Sequence, residues 1–200
     1  SNLTLGIPLP EDLMKYVTDK ENNLESNSTD QQEAETLNLR SHSIFANYQM
    51  GALGVLGDVT MKYIGNTRDV DFGHVLDNDG TPFQIFHVLM DNDYSQDSHE
   101  IQLIGSTDRT DYVLGMYYLK EDASAYNPLE PLNDFFGDLV LENEYGYEGE
   151  QKAIYGQFEW RPRVLDDRLS LTAGLRWTEE EKEAFISRPG DGFVAEADDS

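Results

Sequence analysis

The sequence contains no cysteine, which excludes a disulfide framework, a thiolate metal site and a cysteine nucleophile. It contains no apolar run of 18 residues, so no membrane-spanning helix is expected. Cations are scarce: 14 Lys and Arg stand against 39 Asp and Glu, a net charge of -25. That balance argues against nucleic acid as a partner, because such binding relies on Lys and Arg neutralising phosphates. It argues equally against electrostatic docking on an anionic membrane surface. The opening SNLTLGIPLP lacks a basic n-region and an apolar h-region, so no signal peptide is expected. Helical periodicity is also missing, apart from a short helix expected around Pro10 to Val17.

Signatures of chemistry are thin as well. Ser and His occur without a nucleophile-elbow context, so no enzyme and no cofactor are expected. DNDG (Asp77–Gly80) and DND (Asp91–Asp93) offer oxygen atoms to Ca²⁺, but Val75 stands where an EF-hand has its first Asp, and a turn is the reading preferred. His42, His74, His87 and His99 show no paired metal-ligand spacing, and no metal site is expected. Glu179, Glu180, Glu181 and Glu183 read as a solvated loop following a strand.

Two-residue periodicity is what the chain does have. In Gln151–Phe185, Ile154, Phe158 and Trp160 fall on one face of a first arm, and Leu171, Ala173, Leu175 and Trp177 on one face of a second. The opposite faces carry Gln157 and Glu159, then Thr172, Gly174 and Arg176. This alternation predicts two β-strands with different surroundings on their two faces. Weaker alternation predicts strands at Leu37–Met50, Val59–Asp71, Gln96–Gly105 and Asp111–Lys120. The fold class expected is all-β: an antiparallel meander of about six long strands in three hairpins, part of a transmembrane β-barrel. Short connections (Gly51–Asp58, Ser106–Thr110, Arg161–Asp167) alternate with long polar ones, as in outer-membrane barrels.

Charge placement supports this layout. The segments 1–36, 72–98, 121–150 and 179–200 hold 30 of the 39 acidic residues and 4 of the 14 basic ones. The strands and short turns together are therefore near neutral, as a lipid-facing sheet requires. Trp160 and Trp177 fall at opposite ends of their arms and are candidate interfacial aromatics of two girdles. Lys62, Arg68, Gln102, Gln157, Glu159 and Arg176 are the candidate lumen-facing residues. On the residues alone, a soluble secreted β-sandwich binding carbohydrate or calcium remains an alternative, and a passive porin is a further one.

Three blocks carry a family resemblance. Ala153–Glu183, with Tyr155, Gly156, Gln157, Trp160, Pro162, Leu169, Leu171, Thr172, Gly174, Leu175, Arg176, Trp177, Thr178, Glu180 and Lys182, resembles the barrel of TonB-dependent outer-membrane receptors. SHEIQLIGSTDRTDYVLGMYYLKEDA resembles the hairpin before it in that family. MKYIGNTRDVDF (Met61–Phe72) resembles an earlier strand, with Ile64 and Arg68 in place and Asn66 departing. The likeness covers roughly Leu37 to Phe185 and contains no catalytic signature.

The resemblance implies a segment of a plugged 22-stranded barrel in the outer membrane of a Gram-negative bacterium. Such a receptor takes up a ferric siderophore or similar nutrient, energised through TonB. The partners it implies are the TonB complex, outer-membrane lipid and a small-molecule ligand such as an iron–siderophore. The organisation expected is an acidic extracellular loop at 1–36, three barrel hairpins at 37–185 and a second acidic extracellular loop at 186–200. No plug domain or TonB box is recognised, so the chain is expected to be an internal fragment or a truncated product.

Overall fold

The computed structural model describes residues 34–78, 83, 85–131, 140–164, 168–189 and 193–199. They form one antiparallel sheet of eight strands. The strands are β1 (Ala34–Ala52), β2 (Asp58–Asp77), β3 (Phe86–Ser106), β4 (Thr110–Tyr126), β5 (Leu129–Pro131), β6 (Glu144–Trp160), β7 (Leu171–Arg188) and β8 (Phe193–Asp199). The hydrogen-bonded order is β1-β2-β3-β4-β6-β7-β8, with the short β5 beside β3. Consecutive long strands are neighbours, so this is a meander and no strand crosses over. The expected Pro10–Val17 helix lies outside the described residues.

Both edges of the sheet lack a second neighbour over long stretches among the described strands. β1 pairs only with β2 among them. β8 covers β7 only from Lys182 to Arg188, leaving Leu171–Glu181 without a second neighbour among the described strands. Among the described residues no second layer packs on the sheet. The only buried hydrophobic residues among those described are Val59, Val88 and Ala153. A sandwich needs two sheets packed face to face around a core, and the described residues form one sheet.

The three short connections are built by local chemistry. Between β1 and β2, Gly51, Gly54 and Gly57 all have positive φ, which only glycine adopts without strain. Gly54–Leu56 makes a single 3-10 turn. Gly57 also lies against the Ser106 carbonyl, where a Cβ would sit 2.0 Å from the oxygen. Between β3 and β4, the Thr107 hydroxyl accepts from the Thr110 amide at 3.0 Å, a side-chain turn of the kind Ser and Thr favour. Between β6 and β7, Pro162 follows the last ladder residue of β6, where its missing N–H costs no strand pairing.

The strands are longer than the sequence pattern indicates. The six long ones run for 17 to 21 residues. Residues 72–77 and 86–95, expected as irregular connection, belong to β2 and β3, and 121–126 and 144–150 belong to β4 and β6. The 186–200 segment, expected as loop, contributes Ile186–Arg188 to β7 and Phe193–Asp199 to β8. Residues 1–33 of the other expected loop lie outside the described residues, and Ala34–Thr36 open β1. In these extensions polar side chains occupy both faces or the hydrophobic face is reversed, which hides the alternation that marks a strand. The backbone ladder forms regardless.

Candidate functional site

Directly paired residues of antiparallel strands share a face, so the register assigns every side chain to one side. Along β3 from Asp91 to Ile101, odd-numbered residues are exposed and even-numbered ones half-buried. β4 and β6 show the same asymmetry. The half-buried side is here termed inward.

The outward face carries an apolar band. One row reads Tyr48, Met61, Leu103, Leu114, Gly156, Leu175; the next reads Ala46, Tyr63, Ile101, Met116, Ile154, Trp177. Below them lie Val59, Gly105, Tyr112, Phe158 and Ala173, and then Trp160 opposite Leu171. Leu175 is 82% and Met116 63% exposed. Trp160 and Trp177 share this face six residues of β6 apart, ~20 Å along the strand. His99 sits at the upper margin of the band, its ring stacked between Tyr63 and Tyr118, with its Nδ1 2.8 Å from the Tyr63 hydroxyl.

The inward face at the same height is largely polar. All six sequence-predicted residues lie on it. Lys62 is opposite Gln102, Arg68 opposite Gln96, Gln157 opposite Val113 and Gly174, Glu159 opposite Asp111 and Thr172, and Arg176 opposite Tyr155. The structure brings two sets together. In the first, the Tyr155 hydroxyl donates to Glu100, the Gln102 amide donates to Glu100 at 2.9 Å and to the Tyr155 oxygen at 3.0 Å, and the Arg176 guanidinium lies over Tyr155 and Tyr117 at 5.9 and 5.7 Å. In the second, near the short turns, Arg161 donates to Asp111 at 2.5 Å and to Glu159, which also accepts from Ser170 at 2.7 Å. Lys62, Arg68 and Gln157 join neither set. Ile64, Ile104 and Val113 interrupt the polar surface.

Sequence reasoning missed Glu100, Tyr117 and Tyr155 as inward groups. Glu100 stands two residues before Gln102 and Tyr155 two before Gln157, so the period of two already placed both pairs on one side. The position of Tyr155 is set by Gly115, its direct partner across β4 and β6: a Cβ on that glycine would fall 2.1 Å from the ring. Tyr112 lies over Gly105 and Phe185 over Gly146 in the same way.

Beyond the band the two faces exchange character. The outward rows become Arg40, Asp69, Ser95, Asp122, Glu148, Glu183 and Asn38, Asp71, Asp93, Ser124, Gly146, Phe185. The inward rows become Leu39, Val70, Tyr94, Ala123, Tyr147, Ala184 and Leu37, Phe72, Asn92, Ala125, Tyr145, Ile186. The first set is acidic and the second has no charge. Although exposed, the Asp93 carboxyl is raised from its ordinary value by partial desolvation, helped by Asp91 and Asp71 beside it. Burial also holds the Tyr94 phenol up at about 12, reinforced by its hydrogen bond to Glu121, and raises Tyr147.

The Asp91–Asp93 pair expected to favour turn chemistry sits on the exposed outward face of β3, and Asp77 is buried. Residues 79–80 of DNDG lie outside the described residues. Among the described residues no three His, Asp or Glu are grouped so as to hold a metal ion.

The sequence profile of the family described as TonB dependent receptor-like, beta-barrel, matches residues 4–195. That span is wider than the Leu37–Phe185 region of the three resembling blocks. No curated protein matches the chain. Among solved structures, the ferric yersiniabactin uptake receptor FyuA from Yersinia pestis superposes with a TM-score of 0.60 at 17% identity. The match covers 82% of this chain and 24% of the receptor, so the chain spans about a quarter of that protein's length.

Proposed function

The chain belongs to the TonB dependent receptor-like β-barrel family, and from that premise we propose that it forms part of the wall of an outer-membrane transporter. One observation carries this reading: the outward band of Leu175, Met116, Leu114, Ile154 and Trp177 is contiguous, strongly exposed and uncovered. Soluble monomers rarely present an apolar surface of that continuity, whereas a barrel presents such a band to hydrocarbon. The edges without a second described neighbour agree, since strands at membrane depth need partners on both sides. Further strands of the same receptor would supply them.

In this reading the short turns face the periplasm and the acidic extensions the cell exterior. Trp160 and Trp177 sit at the two lipid–water interfaces. Lys62, Arg68, Gln102, Gln157, Glu159 and Arg176 line the lumen and contact a plug domain or its water. The cargo is an iron chelate or a similar nutrient, moved by TonB and the proton gradient. The solved receptor's description as a ferric yersiniabactin uptake protein supports a metal–siderophore cargo without naming the one taken by this chain.

The test is uptake of radiolabelled ferric chelates by cells carrying the complete receptor, with and without TonB. Accumulation is expected only when TonB is present. Equal accumulation in both strains would replace active transport with a passive porin. Recovery of the complete product in the water-soluble fraction would remove the membrane reading altogether.

A further inference from the structure

β3 and β4 take their alignment from the tight turn at Thr107–Arg109, but nothing so local aligns β4 with β6. The connection from Asn127 to Asn143 is far longer than the loops of about two to five residues that fix strand pairing. Side-chain alternation settles only part of the question. A one-residue slip would turn Tyr155 and Gln157 outward and Ile154 and Phe158 inward, which the outward apolar band excludes. A two-residue slip keeps both apolar sets outward: Tyr112, Leu114 and Met116 on β4, and Ile154, Phe158 and Trp160 on β6. Something beyond the hydrophobic pattern has to choose among the even alignments.

The row through Gln102, Gly115 and Tyr155 supplies it. The β3–β4 hairpin builds a notch. On the inward side of β4, Gly115 stands between Val113 and Tyr117, with Gln102 and Glu100 behind it on β3. The Tyr155 ring of β6 crosses Gly115, where a Cβ would fall 2.1 Å from it. The Tyr155 hydroxyl donates to Glu100 and accepts from the Gln102 amide at 3.0 Å, and Arg176 of β7 covers the ring at 5.9 Å. Shifted by two residues, Tyr155 would face Val113 or Tyr117, whose side chains occupy that space. Its hydroxyl would also lose a carboxylate acceptor, the stronger, charge-assisted kind of bond.

We infer that Tyr155 and Gly115 form a register key, which selects the one alignment of β6 with the β3–β4 hairpin from among those the apolar pattern allows. Both are positioning residues: they decide which residues meet across the sheet, and through that where every later strand sits. The inference stands on the sheet itself. In the barrel reading it gains a consequence, because strand stagger is linked to tilt and diameter in a closed sheet. A two-residue slip at this one junction would spoil the stagger on which closure depends.

The test folds the complete receptor from urea into lipid vesicles, with any other cysteine replaced, and then oxidises it. Three cysteine pairs share Tyr118→Cys. Lys152→Cys reports the observed register, and Ile154→Cys and Glu150→Cys report slips of two residues in either direction. Directly opposite positions lie within disulfide reach and diagonal ones beyond it. With the key intact, cross-linking is expected mainly at the Tyr118–Lys152 pair. Gly115→Val and Tyr155→Ala should each raise slipped over native cross-links by about tenfold, as overfilling or emptying a packed site implies. Leu175→Arg, on the outward face and away from the key, should lower the yield of folded chain and leave that ratio unchanged.

The inference is overturned if slipped and native pairs cross-link equally with the key intact, if neither key variant shifts the ratio, or if Leu175→Arg shifts it as far. Heat-modifiable gel migration of the same samples reports barrel formation separately. Gly115→Ala, which adds only the Cβ, is the variant read if the two harsher ones migrate as unfolded chain. Failure of all three to fold also overturns the inference, since it assigns the pair a choice of register and not the existence of the fold. A receptor with the key intact that never migrates as a barrel refutes the barrel reading, and absence of its Tyr118–Lys152 cross-link removes the register as well.

Discussion

At the scale of single residues, glycine and tyrosine act as pairs. Gly115 has no other means of accommodating the Tyr155 ring, and Tyr155 in turn bonds Glu100 and supports Arg176. Gly115→Val is expected to destabilise the folded barrel by about 1–3 kcal/mol, the usual penalty of overpacking, and to displace the Tyr155 ring. Gly174→Ala is the contrast, because its Cβ would meet nothing closer than 3.4 Å. It should stay within about 0.5 kcal/mol of wild type. Urea titration of both variants of the complete receptor in lipid vesicles checks the pair.

Tyr94 offers a second test at this scale. Burial, then the bond to Glu121, raises its phenol from 10.0 to about 12. The unfolded chain ionises this group near 10, so the folded state holds the proton more tightly. The associated stability is whole below pH 10 and is lost as pH climbs from 10 toward 12. A tyrosinate absorbance titration, wild type minus Tyr94→Phe, should place this residue's ionisation near 12. A midpoint at the ordinary value would show that the ring is not covered as described.

At the scale of elements, each strand has two sides with different tolerances. Leu175→Arg puts a charge at an outward position that is 82% exposed. It should reduce folding stability in bilayers by about 2–4 kcal/mol if that position lies near mid-membrane. Gln157→Arg, on the inward side of the neighbouring strand, should cost much less. Folding yield into vesicles across a urea series separates the two.

The strands with apolar outward faces were legible in the sequence: Val59, Met61 and Tyr63, or Ile154, Phe158 and Trp160, alternate with polar neighbours, and the observed register keeps each set on one side. The extensions were not legible. MDNDYSQDS, Met90 to Ser98, has acids and Ser outward and mixed polar groups inward, so no apolar period marks it as part of β3. β8 was hidden for the same reason, since Glu196 and Asp198 of β8 alternate with alanines. Pairing to an existing strand edge, a tertiary effect, makes these segments β. Of the inward network, Gln102 and Arg176 were readable from alternation, while the bond between Glu100 and Tyr155 depends on the alignment of β3, β4 and β6.

At the scale of the whole molecule, the described residues form one sheet with little core of its own. Its outward surface is apolar in a band and acidic above it. Its inward surface is polar in the band and aromatic above it. In the proposed barrel the outward band would meet hydrocarbon and the acidic zone above it the exterior solvent. In the proposed barrel the band meets lipid while the opposite face of the same strands does not. This chain has no cysteine of its own, so once any cysteine elsewhere in the complete receptor is replaced, an introduced one is the single reporter. The decisive measurement is a scan of β6 and β7 in the complete receptor folded in vesicles. Ile154→Cys, Phe158→Cys, Leu171→Cys and Leu175→Cys are compared with Tyr155→Cys, Gln157→Cys, Thr172→Cys and Arg176→Cys, each carrying an environment-sensitive fluorophore quenched by brominated lipid. Strong quenching is expected at the first four and little at the second four. Equal quenching along both sets, or quenching of the second set alone, would contradict it.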